Sequence, residues 1–264
     1  MTPLRAASAR QAGLWAGAGR VFPLALGEMV RSRRTLFIAI IVGGPVLLAV
    51  AGRMAGDASV SVTVNGGRLE GADVFDTIVW LLFLRFAVPV LGVWYGTSLI
   101  ADEVEEKTIT YLFTRPIRRG AVILGKYLAY LACTSTVVLA AVALVYAAVV
   151  ARPSVPESFD LARDLGILAL GLAAYGALFT LMGAWLKRPL VSGLVFAFGW
   201  EQVALLVPGY LRRFTLAYHL QSVLRETAAA TSSLLWLLAV TAVCLFLATR
   251  AVERREYVLV DRPD

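Results

Sequence analysis

An all-α, polytopic membrane fold with six spanning helices is the architecture this sequence predicts, and three observations carry it. The 264 residues are 59% hydrophobic and 16% charged, with mean hydropathy +0.75, far more apolar surface than one soluble core of this length can hide. Six apolar runs, near 35–51, 77–100, 128–150, 165–186, 190–207 and 233–249, each approach or exceed the roughly 17 to 25 residues that cross a bilayer as a helix. The formal charge of +7 comes from Arg and Lys at the ends of those runs, where they meet lipid phosphates, and this argues against nucleic acid as the partner.

The chain reads as one transmembrane domain over 1–264, without internal repeats. Its first 34 residues hold Arg5, Arg10, Arg20, Arg31, Arg33 and Arg34 but no uninterrupted apolar core or cleavage site, so the N-terminus is expected to stay in the mature protein. Over 20–34, Phe22, Leu26, Met29 and Val30 recur at helical spacing, with Pro23 suited to a first turn, Glu28 on the polar side and Arg31, Arg33 and Arg34 at the end. This predicts a helix lying in the cytoplasmic membrane interface. The alternative for 1–19 is a basic tail that only sets orientation.

The first apolar run contains Gly43-Gly44-Pro45, where a kink is expected. The fourth and fifth are separated only by Lys187, Arg188 and Pro189, a tight turn between antiparallel helices. With both termini in the cytoplasm, the inner segments hold 17 of the 25 Lys and Arg, and the outer ones hold seven: Arg53, Arg68, Arg152, Arg163, Arg212, Arg213 and Arg225. Arg85 lies inside the second run. In the first outer loop Val60, Val62 and Val64 alternate before Asn65-Gly66, the pattern of a small hairpin. The last outer loop, 208–232, interleaves Tyr210, Phe214, Tyr218 and Leu224 with Arg212, Arg213, His219 and Arg225. It is too polar to span, but apolar enough to lie partly in the outer leaflet as short helices that could line an outer gate.

Between the second and third runs lies the longest strongly charged segment. Asp102, Glu103, Glu105 and Glu106 crowd the start of a predicted helix, where its dipole favours acids; Val104, Thr108, Tyr111 and Leu112 share a face; Pro116 prevents continuation. A short amphipathic helix over 102–116 with a basic exit follows. Its Tyr111, Leu112 and Phe113 either anchor in a groove of another protein or pack on the ends of the chain's own spans.

The run ADEVEEKTITYLFTRPIRRGAVILGKYLA, placed after the second of six spans, resembles the signature of ABC-transporter permeases of the type-2 exporter family. In that family this region includes the coupling helix that docks on a separate ATPase subunit. Glu103 and Glu106 match its acidic part, Thr108 the threonine that follows, Leu112 the apolar anchor, Arg115-Pro116 the turn, Arg119 the basic residue, and Gly125-Lys126 the opening of the next span. Lys107 departs from the family's usual glycine. The resemblance implies two permease subunits, identical or related, above two ATPase subunits that hold the ATP and Mg, with no cofactor bound by this chain. It also implies residence as a multi-pass protein in a bacterial or archaeal plasma membrane, in contact with lipid, and export as the direction. The substrate is left open.

Gly120 to Lys126, GAVILGK, has the glycine and lysine spacing of a phosphate-binding loop. Tyr127 occupies the place of the Ser or Thr that would ligate magnesium, and an apolar run follows in place of a nucleotide-binding domain, so ATP binding by this chain is not expected. Neither a two-His metal motif nor a nucleophile elbow is present, and His219 is the sole histidine. Arg85 and Glu201 lie within the spans, at a cost of about 2.5 to 3.5 kcal/mol each at mid-membrane, and their similar depths predict an ion pair, within one subunit or across a dimer. They are also the only groups on which a carrier driven by an ion gradient could run. A membrane scaffold that transports nothing is the other alternative.

Overall fold

A computed structural model describes residues 14–55, 61–64, 67–70, 72–99, 119–149, 161–206, 210–225 and 228–254. Helix α1 covers Leu14–Arg31 and α2 Arg33–Ala55. Two short strands, β1 (Ser61–Val64) and β2 (Gly67–Glu70), pair antiparallel with Val64 opposite Gly67, as the alternating valines predict. Helix α3 (72–99) is followed by α4 (Arg119–Val149), α5 (Leu161–Trp185) and α6 (189–206). A 3-10 turn, Tyr210–Phe214, leads into α7 (Leu216–Leu224), and α8 (Ala230–Arg254) closes the described chain.

Among the described residues, five helical segments are long and apolar enough to cross a membrane: Phe37–Met54, Val74–Leu99, Gly120–Val149, Leu161–Trp185 and Ala230–Glu253. The stretch 189–206, which carries Glu201 and Gln202, is not among those five. The outward faces say what solvent the helices expect. On α2, Ile38, Val42 and Ala49 are buried at helical spacing while Ile40, Leu47, Leu48 and Met54 are exposed. On α8, Leu237, Cys244 and Ala248 are buried while Leu235, Val243 and Phe246 are exposed. Apolar surface this continuous is compatible with lipid and not with water.

The core is built around α5, which packs against α3, α4 and α8. Small residues bring the backbones together. A Cβ on Gly92 would lie 2.9 Å from Cβ of Tyr175, one on Gly96 2.8 Å from Cβ of Phe179, and one on Gly183 2.7 Å from the carbonyl oxygen of Thr97. Glycine at these positions lets α3 and α5 meet at backbone distance, the device by which helices associate where no water drives them together. Larger side chains then fill the gaps: Tyr95, Tyr130, Phe83 and Phe179 are fully buried, and Tyr127 and Tyr130 donate to the carbonyl oxygens of Ala173 (2.8 Å) and Leu172 (3.0 Å).

The helix ends define two ends of the bundle. At one, α3 stops at Leu99, α4 starts, α5 ends and α8 ends, with Gly120 3.2 Å, by its Cβ position, from Oε1 of Glu253. At the other, Arg53 in the last turn of α2 donates to the carbonyl oxygens of Ala147 (2.7 Å) and Ala148 (3.0 Å), capping the C-terminus of α4 where carbonyls lack partners.

Two expectations are corrected here. The N-terminal helix starts at Leu14, so Pro23 lies in its interior instead of its first turn. The reason is tertiary: α1 packs along α4, with Ala18 and Ala25 buried and the Ala18 carbonyl oxygen only 2.7 Å from a Cβ built on Gly125. It also stops at Ser32, whose hydroxyl donates to the Met29 carbonyl at 3.1 Å. Arg33 and Arg34 therefore open α2 and do not belong to α1, whereas Glu28 and Arg31 lie exposed on α1. Helix α2 continues through Gly43-Gly44-Pro45.

Candidate functional site

Among the described residues, the most deeply buried carboxyl group lies on α6. Glu201 is 1% exposed. Its Oε1 accepts the Leu216 backbone N–H at 2.9 Å, the carboxyl also accepts from the Ala217 N–H, and Oε2 accepts the Tyr175 hydroxyl. The first turn of α7 is thereby supplied with acceptors, because the side chain of Thr215, at the N-cap, takes the Tyr218 N–H at 3.2 Å. At the opposite end of α7, Nη2 of Arg163 donates to the carbonyl oxygens of Val223 and Leu224. An acid from α6 at the N-terminus and a base from α5 at the C-terminus match the sign of the helix dipole at both ends. Between these clamps Leu216, Ala217 and Leu220 are buried, and the Leu220 side chain approaches the Cβ position of Gly171 on α5 at 3.3 Å.

Within the chain, the ion pair predicted between Arg85 and Glu201 is not formed. Arg85 donates through Nε (2.8 Å) and Nη2 (2.6 Å) to Oε1 of Gln202. Successive residues on a helix diverge by about 100°, so Gln202 faces α3 while Glu201 faces α5 and α7. The depth argument found the right helices and missed the neighbour. Pro89, four residues after Arg85, supplies no N–H and crowds the Arg85 carbonyl, and α3 is π-helical through Val79–Ala87. A second π-helical stretch, Val195–Trp200, precedes the Glu201-Gln202 step in α6.

On α7, His219 donates from Nε2 to the Arg213 carbonyl (2.9 Å), leaving Nδ1 to accept from Ser233 Oγ (3.0 Å), and its ring stacks on Trp236 at 4.1 Å. Burial lowers its pKa below the ordinary 6.5 against the smaller opposing effect of the Arg213 carbonyl. The folded state therefore favours neutral His219, its contribution is complete above pH 6.5, and it is lost as pH falls from there through the lowered folded value. Thermal unfolding of the wild type at pH 7.5 and 5.5 is expected to show a lower midpoint at the acid end, and His219→Gln should reduce that difference. No change on substitution would contradict the assignment.

Glu103, Glu106, Thr108, Tyr111, Leu112, Arg115 and Pro116 lie outside the described residues. Their flanks do not: α3 ends at Leu99, Arg119 opens α4, and Lys126 Nζ donates to the Leu99 carbonyl at 3.5 Å. The residues that flank 100–118 thus meet at one end of the bundle. The GAVILGK stretch is helical throughout and does not take the loop conformation of a phosphate cradle. Sequence reasoning missed Tyr175, Gln202 and Arg163. Gln202 left a signal, a second polar residue beside Glu201 in an apolar run; the other two did not.

The sequence model of the family described as ABC-2 family transporter protein matches residues 24–256. No curated protein matches the chain.

Proposed function

The chain belongs to the ABC-2 transporter family, whose members are membrane permeases, and from that premise we propose that it is the spanning subunit of an ATP-driven exporter coupled to a separate ATPase. The observation that carries the reading is the match across residues 24–256, which includes the whole charged 102–116 segment. Support for that segment as the coupling helix comes from its flanks, which meet at one end of the bundle where Lys126 joins α4 to the last carbonyls of α3.

A sixth span over 189–206 is supported by connectivity. The chain leaves α5 by a three-residue turn at one end, and α7, which follows α6, holds on to the start of α8 at the other through His219 and Ser233. With the basic ends of the helices inside, both termini are cytoplasmic, α1 lies in the inner interface, and α7 belongs to the outer end. The working unit is two permease subunits, identical or related, over two ATPase subunits that bind ATP and Mg, in a bacterial or archaeal plasma membrane.

Two measurements test this. Tyr210 is 78% exposed and both native cysteines are buried, so Tyr210→Cys should react with a membrane-impermeant maleimide in intact cells and Arg188→Cys only after permeabilisation. The reverse labelling contradicts the orientation. Protein purified from its native host should carry vanadate-sensitive ATP hydrolysis; uncoupler-sensitive transport with no ATPase would favour an ion-gradient carrier.

A further inference from the structure

Arg85 carries a charge for which no ion-pair partner stands among the described residues. Near the middle of α3 its guanidinium donates two of five N–H groups to one neutral amide oxygen, Gln202 Oε1, and has no other partner among the described residues. Glu201, the nearest acid in sequence to that contact, is spent on Tyr175 and the first turn of α7. The other acids of α3 and α6, Asp73 and Asp76, stand nine or more positions before Arg85, roughly 13 Å or more along the axis. A second copy laid against the same face by two-fold symmetry would bring the same residues, and so no free carboxylate at this depth.

The surface beside the pair is apolar. Phe86 and Phe198, 47% and 40% exposed, have ring centroids 6.0 Å apart, and Phe198 lies four positions before Gln202. The π-helical stretches Val79–Ala87 and Val195–Trp200 hold or adjoin these residues on both helices, an irregularity that recurs at functional sites.

We propose that Arg85, oriented by Gln202, is the specificity determinant for an anionic amphiphile, whose acid group meets the guanidinium while its apolar part lies along Phe86 and Phe198. A guanidinium fork with three N–H groups left suits the paired oxygens of a phosphate or carboxylate. The role in transport rests on the permease reading; the binding does not.

The test is a titration of the full chain in non-ionic detergent with dioctanoyl phosphatidic acid and dioctanoyl phosphatidylcholine, followed by isothermal calorimetry. The wild type is expected to bind the acidic lipid at least about tenfold more tightly. Arg85→Gln should abolish that preference, Arg85→Lys, which keeps the charge and loses the fork, should keep only part of it, and Gln202→Leu, which leaves the charge unanchored, should weaken it several-fold. Soluble glycerol phosphate should not compete. Equal affinity of the wild type for the two lipids, a preference that survives Arg85→Gln or is untouched by Gln202→Leu, or full competition by glycerol phosphate would each overturn the proposal. Lipid preference without a co-purifying ATPase would retire the permease reading and leave this site standing; an ATPase without lipid preference would do the reverse.

Discussion

Glu201→Ala is expected to lower the thermal unfolding midpoint of the detergent-solubilised protein by about 10 °C. The substitution leaves the Leu216 and Ala217 N–H groups and the Tyr175 hydroxyl without their acceptor in a site that is 1% exposed. Each buried group so stranded costs about 1 to 3 kcal/mol, and loss of the acid at the α7 N-terminus adds up to about 1 kcal/mol or more. The low end of that sum, roughly 3 to 5 kcal/mol, corresponds to that shift for a chain of this size. Glu201→Gln keeps an oxygen acceptor and should fall about half as far. Amide hydrogen exchange at 216–218 should accelerate in the alanine variant, since these groups form the released turn. A midpoint within about 2 °C of wild type, with unchanged exchange, would mean that α7 is held by its buried leucines alone.

Leu112→Asp is expected to reduce ATPase recovery with the permease by about 10- to 100-fold while leaving the monodisperse membrane protein intact. An apolar anchor in a partner's groove supplies a large share of the binding energy, and an aspartate there must be desolvated without a counter-charge, so a loss of about 1.4 to 2.8 kcal/mol is a modest expectation. Arg115→Glu, at the turn beyond the anchor, should act in the same direction. Unchanged recovery of the ATPase on both variants would assign the 102–116 segment to packing on its own spans.

Much of the architecture was legible because lipid imposes a simple rule. Each span must be an apolar helix of fixed length, so composition and run length marked the segments, and Lys187-Arg188-Pro189 marked the turn between α5 and α6. What failed to show is what depends on neighbours. The start of α4 at Arg119, nine residues before its apolar run, reflects support from α1 against Gly125, and the same packing carries α1 back to Leu14 and places Pro23 inside it. Depth along a helix can be counted from sequence, but azimuth cannot when π-helical turns intervene; hence Arg85 was matched to residue 201 when its partner is 202. Tyr175 gave no warning, because a tyrosine in an apolar run reads as core until the acid it serves is placed beside it. His219, legible only as the sole histidine of the last outer loop, is a half-buried link between α7 and α8.

The central claim, that this permease works through a separate ATPase, is tested most directly by tagging the chain in its native host, solubilising in mild detergent and measuring what co-purifies and whether it hydrolyses ATP. The account predicts an ABC-type ATPase in equal amount to the permease, with vanadate-sensitive hydrolysis. Recovery of the intact membrane protein with no ATPase, under conditions in which other membrane complexes survive, would contradict it.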